Sequence, residues 1–121
     1  MTGAQIAENL RQNKKRWCRY AYHATDRHLN DTYCVIGLKL HELGVAVEKW
    51  DHEKKTNLVT VILEELPCSH ISKAGIRLLT ELQKANDGAL TVEEVIRYCE
   101  SRASVDYPLE TLARQLLKGV A

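Results

Sequence analysis

The largest cluster of Lys and Arg in the chain is the run Arg11, Lys14, Lys15, Arg16 and Arg19, interleaved with Gln12, Asn13, Trp17 and Cys18. Clustered cations do one kind of chemistry well: they neutralise the phosphates or carboxylates of a partner's surface. Lys39, and further on Lys54 and Lys55, extend the same candidate set. From Met1 to Lys39 there are seven Lys and Arg against three Asp and Glu, whereas from Val61 to the end there are seven against nine. A near-neutral total of 17 basic and 16 acidic residues therefore conceals a basic front and an acidic back.

Other constellations fall short of the ligand count or geometry that their chemistry needs. Cys18, Cys34, Cys68 and Cys99 lie 16, 34 and 31 positions apart without a C-x-x-C pair, which removes the basis for zinc-finger, zinc-ribbon or thioredoxin chemistry. Each sits among apolar or aromatic neighbours and reads as a small buried hydrophobe. His23, His28, His41, His52 and His70 form no i,i+4 pair, and Cys68 with His70 or His23 with Asp26 supplies two ligands where zinc needs four. The stretch from Asp87 and Gly88 to Glu94 resembles the second half of an EF-hand loop, but Gln83 and Ala85 stand where the first carboxylates belong. Cys68 and His70 can be drawn as a nucleophilic dyad, yet no third orienting group accompanies them. The reading is of a protein that is not an enzyme and uses no metal or cofactor.

Length and composition set the frame for these residues. At 121 residues and 45% apolar content, the chain suits one soluble globular domain. No apolar run approaches the roughly 20 residues of a membrane span. Met1 to Asn9 carries no Lys or Arg and no apolar h-region, so a cytoplasmic location and no membrane partner are expected. For the same reason the sequon at Asn30, Asp31 and Thr32 is set aside.

Periodicity then supplies the elements. Thr2 is a good N-cap for a helix whose stripe Ile6, Leu10, Trp17, Ala21 and Ala24 puts the basic cluster on the opposite face. Asp31 or Thr32 can cap a second helix through Val35, Ile36, Leu38, Leu40 and Leu43, stopped by Gly44. The β-branched-rich runs of residues 45–50 and 58–63 flank a polar connector and predict a β-hairpin, with a single helix from about Val47 to Leu66 as the rival. Ser69 caps a helix ending near Asn86, Asp87 and Gly88. A capping box at Thr91 and Glu94 starts the next, and Pro108 opens a last helix bearing Leu109, Leu112, Leu116 and Leu117.

The predicted fold is α+β and mostly helical, with N-terminal helices, one hairpin over about residues 45–63 and a three-helix C-terminal layer. An all-α bundle is the alternative. The chain reads as a single domain with possible sub-modules at 1–66 and 68–121. Helix, second helix ending at Gly44, and hairpin with a charged tip at His52, Lys54 and Lys55 resemble the winged helix-turn-helix of bacterial regulators over roughly residues 5–63. That resemblance implies that the helix before Gly44 enters a DNA groove while the hairpin tip touches phosphate. The expected function is a small DNA-binding or transcription-regulatory protein, with Arg11, Lys14, Lys15, Arg16, Arg19, Lys39, Lys54 and Lys55 as contacts to double-stranded DNA. The alternative is a helical adaptor whose basic face docks an acidic protein and whose C-terminal helices form a homodimer.

Overall fold

The computed structural model describes residues 1–19, 24–47 and 71–119, with side chains up to Leu117. Five helices and one short antiparallel hairpin appear among the described residues: α1 Gly3–Gln12, β1 Ala24–Thr25, β2 Asp31–Thr32, α2 Val35–Glu42, α3 Lys73–Gly88, α4 Val92–Glu100 and α5 Leu109–Gly119. This is a mostly helical α+β fold. The predicted hairpin of residues 45–63 lies outside the described residues from position 48 onward, as do Lys54 and Lys55. The hairpin that is described falls earlier, with Ala24 opposite Thr32 and Thr25 opposite Asp31.

Thr2 starts α1 as its sequence signals. Its Oγ1 accepts from the Gln5 amide at 3.2 Å while Gln5 Oε1 accepts from the Thr2 amide at 2.8 Å, a complete capping box. The helix does not continue to Ala24. Asn13 turns its side-chain amide back onto the Asn9 carbonyl at 2.8 Å, the kind of local bond that competes with helix propagation. A 3-10 turn over Lys14–Arg16 follows, and Trp17 becomes extended and bridges Tyr33 in parallel.

Asp31 and Thr32 are strand residues rather than caps. Cys34 caps α2 instead: its Sγ accepts from the Gly37 amide at 3.2 Å. Gly44, at φ 91, supplies the left-handed residue that ends this helix. Ser72 caps α3 by accepting from the Gly75 amide at 3.0 Å; Ser69 lies outside the described residues. The expected capping box at Thr91 is incomplete, because Glu94 accepts from the Leu90 amide at 3.1 Å and the Thr91 side chain makes no cap bond.

A single apolar cluster joins Ile6 and Leu10 of α1, Ile36, Leu38 and Leu40 of α2, Leu79 and Leu82 of α3, Val95 and Ile96 of α4, and Leu109, Leu112 and Leu116 of α5. α1 lies against α4, and α2 against α3 and α5. The first residues are stitched to the α4–α5 connection by Gly3 N–H to the Val105 carbonyl and by the N-terminal ammonium on Asp106 at 2.8 Å. A Cβ on Gly3 would collide with the carbonyls of Cys99 and Arg102, so only glycine allows this approach. No helix among the described residues is long and apolar enough to cross a membrane.

Candidate nucleic-acid interface

The segments that carry the basic cluster are held by a buried polar hub at the end of α3. Asn86 is fully buried, and its Oδ1 accepts from the Trp17 indole at 2.7 Å and from the Val35 amide at 3.0 Å. Its Nδ2 donates to the Cys18 carbonyl at 3.2 Å. Gln83 extends the hub, donating to Asp87 Oδ1 at 3.1 Å and accepting from the Cys34 thiol at 3.5 Å. A buried amide with its bonds satisfied fixes one arrangement of the chains around it. Here it docks residues 17–18 and 33–35 onto α3, setting the 3-10 turn beside β2.

Within this frame the predicted contacts separate. Arg11 ion-pairs with Glu8 at 3.2 Å and with Glu100 of α4, and Lys14 pairs with Glu93 of α4 at 3.4 Å. The Glu93 carboxyl is held below its ordinary range by its own backbone N–H and then by Lys14. Arg19 donates through Nε and Nη2 to the Asp87 carbonyl at 3.3 and 3.2 Å, a cation at the C-terminal end of α3 where the helix dipole favours it. Lys39 is near Glu42 at 3.9 Å. Arg16 lies over the Tyr33 ring, 5.3 Å from its centroid. Lys15 is exposed and has no carboxylate partner among the described residues.

Next to that turn stands the hairpin, whose tip carries Arg27 and His28, both exposed. Arg27 Nε donates to His28 Nε2 at 3.3 Å and meets no carboxylate among the described residues. The tip's own acid is consumed by the turn: Asp26 Oδ1 accepts from the His28 amide at 2.8 Å and the Asn30 amide at 2.9 Å. The Asn30 amide first, and then the His28 amide, hold the Asp26 carboxyl below its ordinary range. The structure therefore sets the turn of Lys15 and Arg16 beside β2, the second strand of the hairpin whose tip carries Arg27 and His28, and turns Arg11 and Lys14 toward α4.

α2, which the winged-helix resemblance would send into a groove, is a core element. Val35, Ile36, Gly37, Leu38 and Leu40 are buried, leaving too narrow a solvent face to read base edges. α5 spends its leucine stripe inside the chain, with Leu109, Leu112 and Leu116 buried and Leu117 45% exposed. Burial pushes the Cys34 and Cys99 thiols up to about 12, so both are protonated packing groups at neutral pH. Gln83, Asn86 and Asp87 of the EF-hand-like stretch lie in α3 and bond within the hub. Cys68 and His70 lie outside the described residues.

Two open grooves flank α4. One, of about 360 Å³, is lined by Arg11, Lys14, Glu93 and Glu100 and is bridged by their ion pairs. The other, about 600 Å³ between α3 and α4, mixes Glu81 and Glu94 with Lys84 and Arg102. Neither offers a single sign of charge. Comparison with protein-family models, with curated proteins and with solved structures gives no match for this chain.

Two features of this region have no simple sequence signal. Asn86 reads as an ordinary helix-end residue, since its partners are 51 to 69 positions away in the chain. Leu29 reads as a loop residue, although the flanking Asp26 and Asn30 are turn formers that mark the tip.

Proposed function

We propose that the chain is a small DNA-binding protein that contacts phosphate through Lys15 and Arg16 of the 3-10 turn and through Arg27 and His28 of the β1–β2 tip. The observation that carries this reading is the division of the cations. Arg11 and Lys14 have carboxylate partners on α4, while Lys15 and Arg27 have none among the described residues and Asp26 is engaged by backbone amides. A cation without a carboxylate partner on a hydrogen-bonded hairpin is cheap to place against a phosphate, because no ion pair has to break and little backbone order has to be gained. A two-stranded ribbon also fits within a DNA groove, a role that the buried α2 leaves vacant.

The test is fluorescence anisotropy of a labelled duplex of roughly 30 base pairs, titrated at low and moderate salt beside light scattering for mass. Binding that weakens steeply with salt is the expected result. No binding at low salt contradicts the reading, and the same cations would then be assigned to an acidic protein surface, the adaptor reading.

A further inference from the structure

The tip of the hairpin contains a residue that its own stability does not explain. Leu29 has φ 63, in the left-handed region where a side chain with a Cβ is strained and where Asn or Gly is the ordinary occupant. It is also 85% exposed, the most exposed large hydrophobic residue among those described. The strained backbone counts against folding and the exposed side chain recovers nothing from packing among the described residues.

The turn that presents it is closed from several sides. The Leu29 amide donates to the Asp26 carbonyl at 3.0 Å, the Asp26 amide to the Asn30 carbonyl at 2.9 Å, and the Asp26 carboxylate accepts from His28 and Asn30. Leu29 is thus an apolar knob on a pre-organised tip, flanked by Arg27, His28 and Asn30. Apolar wedges of this size beside Arg and Asn are what minor-groove binders use to part a base step while cations hold the adjoining phosphates.

We infer that Leu29 is a wedge that enters the minor groove of duplex DNA and unstacks a base step, with Arg27 and His28 seated on the flanking phosphates. This inference rests on the DNA-binding reading and adds to it a groove, a mode of contact and a bent product. Flexible pyrimidine–purine steps are the preferred sites, because they kink at least cost. The strain at Leu29 is then the local cost of holding the wedge ready before DNA arrives.

The experiment uses the full chain and a duplex of roughly 30 base pairs with a central TA step, carrying a fluorophore at each end and, in a second copy, 2-aminopurine at the step. The native chain should raise end-to-end energy transfer and 2-aminopurine emission together. Leu29→Asn keeps a residue suited to the left-handed turn, so its thermal midpoint should equal or exceed that of the native chain. It should nevertheless lose the bend and the emission change and bind about fivefold or more weakly, with the salt slope unchanged. Leu29→Met, which restores an apolar side chain, should recover part of the bend. If Leu29→Asn binds and bends as the native chain does, the wedge is overturned, and the exposed leucine belongs to a protein pocket while the phosphate contacts stand. If the native chain binds with a steep salt slope but never bends or unstacks the duplex, the wedge is again overturned alone. Absence of binding by the native chain overturns the wedge and the DNA-binding reading together.

Discussion

The cations of the α1 side and those of the hairpin side meet opposite surroundings. On the α1 side, Arg11 and Lys14 close onto Glu93 and Glu100 of α4 and line a groove that their own pairs bridge. On the hairpin side, Lys15 and Arg27 are exposed and meet no carboxylate among the described residues, and Asp26 is tied to backbone amides. A count of cations along a sequence cannot separate these cases. The separation falls within the 3-10 turn, which sends Lys14 to Glu93 of α4 while Lys15 stays exposed and Arg16 lies over Tyr33 beside β2.

The largest expected effect comes from breaking the hub that creates the hairpin side. Asn86→Ala leaves the Trp17 indole, the Val35 amide and the Cys18 carbonyl without their buried partner, and should cost about 2–4 kcal/mol in urea unfolding. Amide exchange should accelerate at residues 17–19 and 33–35 before it does in α1 and α4. Next in size, replacing Lys15 and Arg27 together by Glu should weaken duplex binding by about tenfold or more at low salt while leaving the thermal midpoint within a few degrees.

A smaller effect follows from pH. The folded-state pKa of Asp26 is lowered, so its contribution to the turn is fully present above the unfolded-state pKa and is lost as pH falls through the lower folded value. The His28 and Asn30 amide resonances should therefore move with a midpoint below the ordinary aspartate range, while amides of α4 stay in place. The smallest effect is expected on the closed side. Arg11→Gln and Lys14→Gln remove exposed ion pairs and should each change stability by no more than about 1 kcal/mol, with duplex affinity altered far less than by the hairpin-side pair.

Much of the helical layer was legible in the sequence because its signals are local. Thr2, Gly44, and Pro108 with the Leu109–Leu112–Leu116 spacing mark starts, a stop and a buried stripe that the structure bears out. The end of α1 was not legible. Trp17 falls at a helical position in the stripe, yet its indole is claimed by Asn86, 69 residues away, and the local pattern holds no trace of that bond. The α2 cap was missed because a thiol replaces the usual hydroxyl or carboxylate. The described hairpin was missed because each of its strands is two residues long, too short for alternation to register. The site residues were legible as a basic cluster, but their division was not, since it depends on acids in α4 some 80 to 90 positions downstream.

The most direct test of this division is the salt dependence of duplex affinity measured for three chains: native, Lys15→Gln with Arg27→Gln, and Arg11→Gln with Lys14→Gln. Each phosphate contact contributes about 0.9 to the slope of log K against log salt. The hairpin-side pair should lower the slope by about two such contacts, while the α1-side pair should leave it at the native value. Equal losses in both double variants, or a loss confined to Arg11 and Lys14, would contradict it.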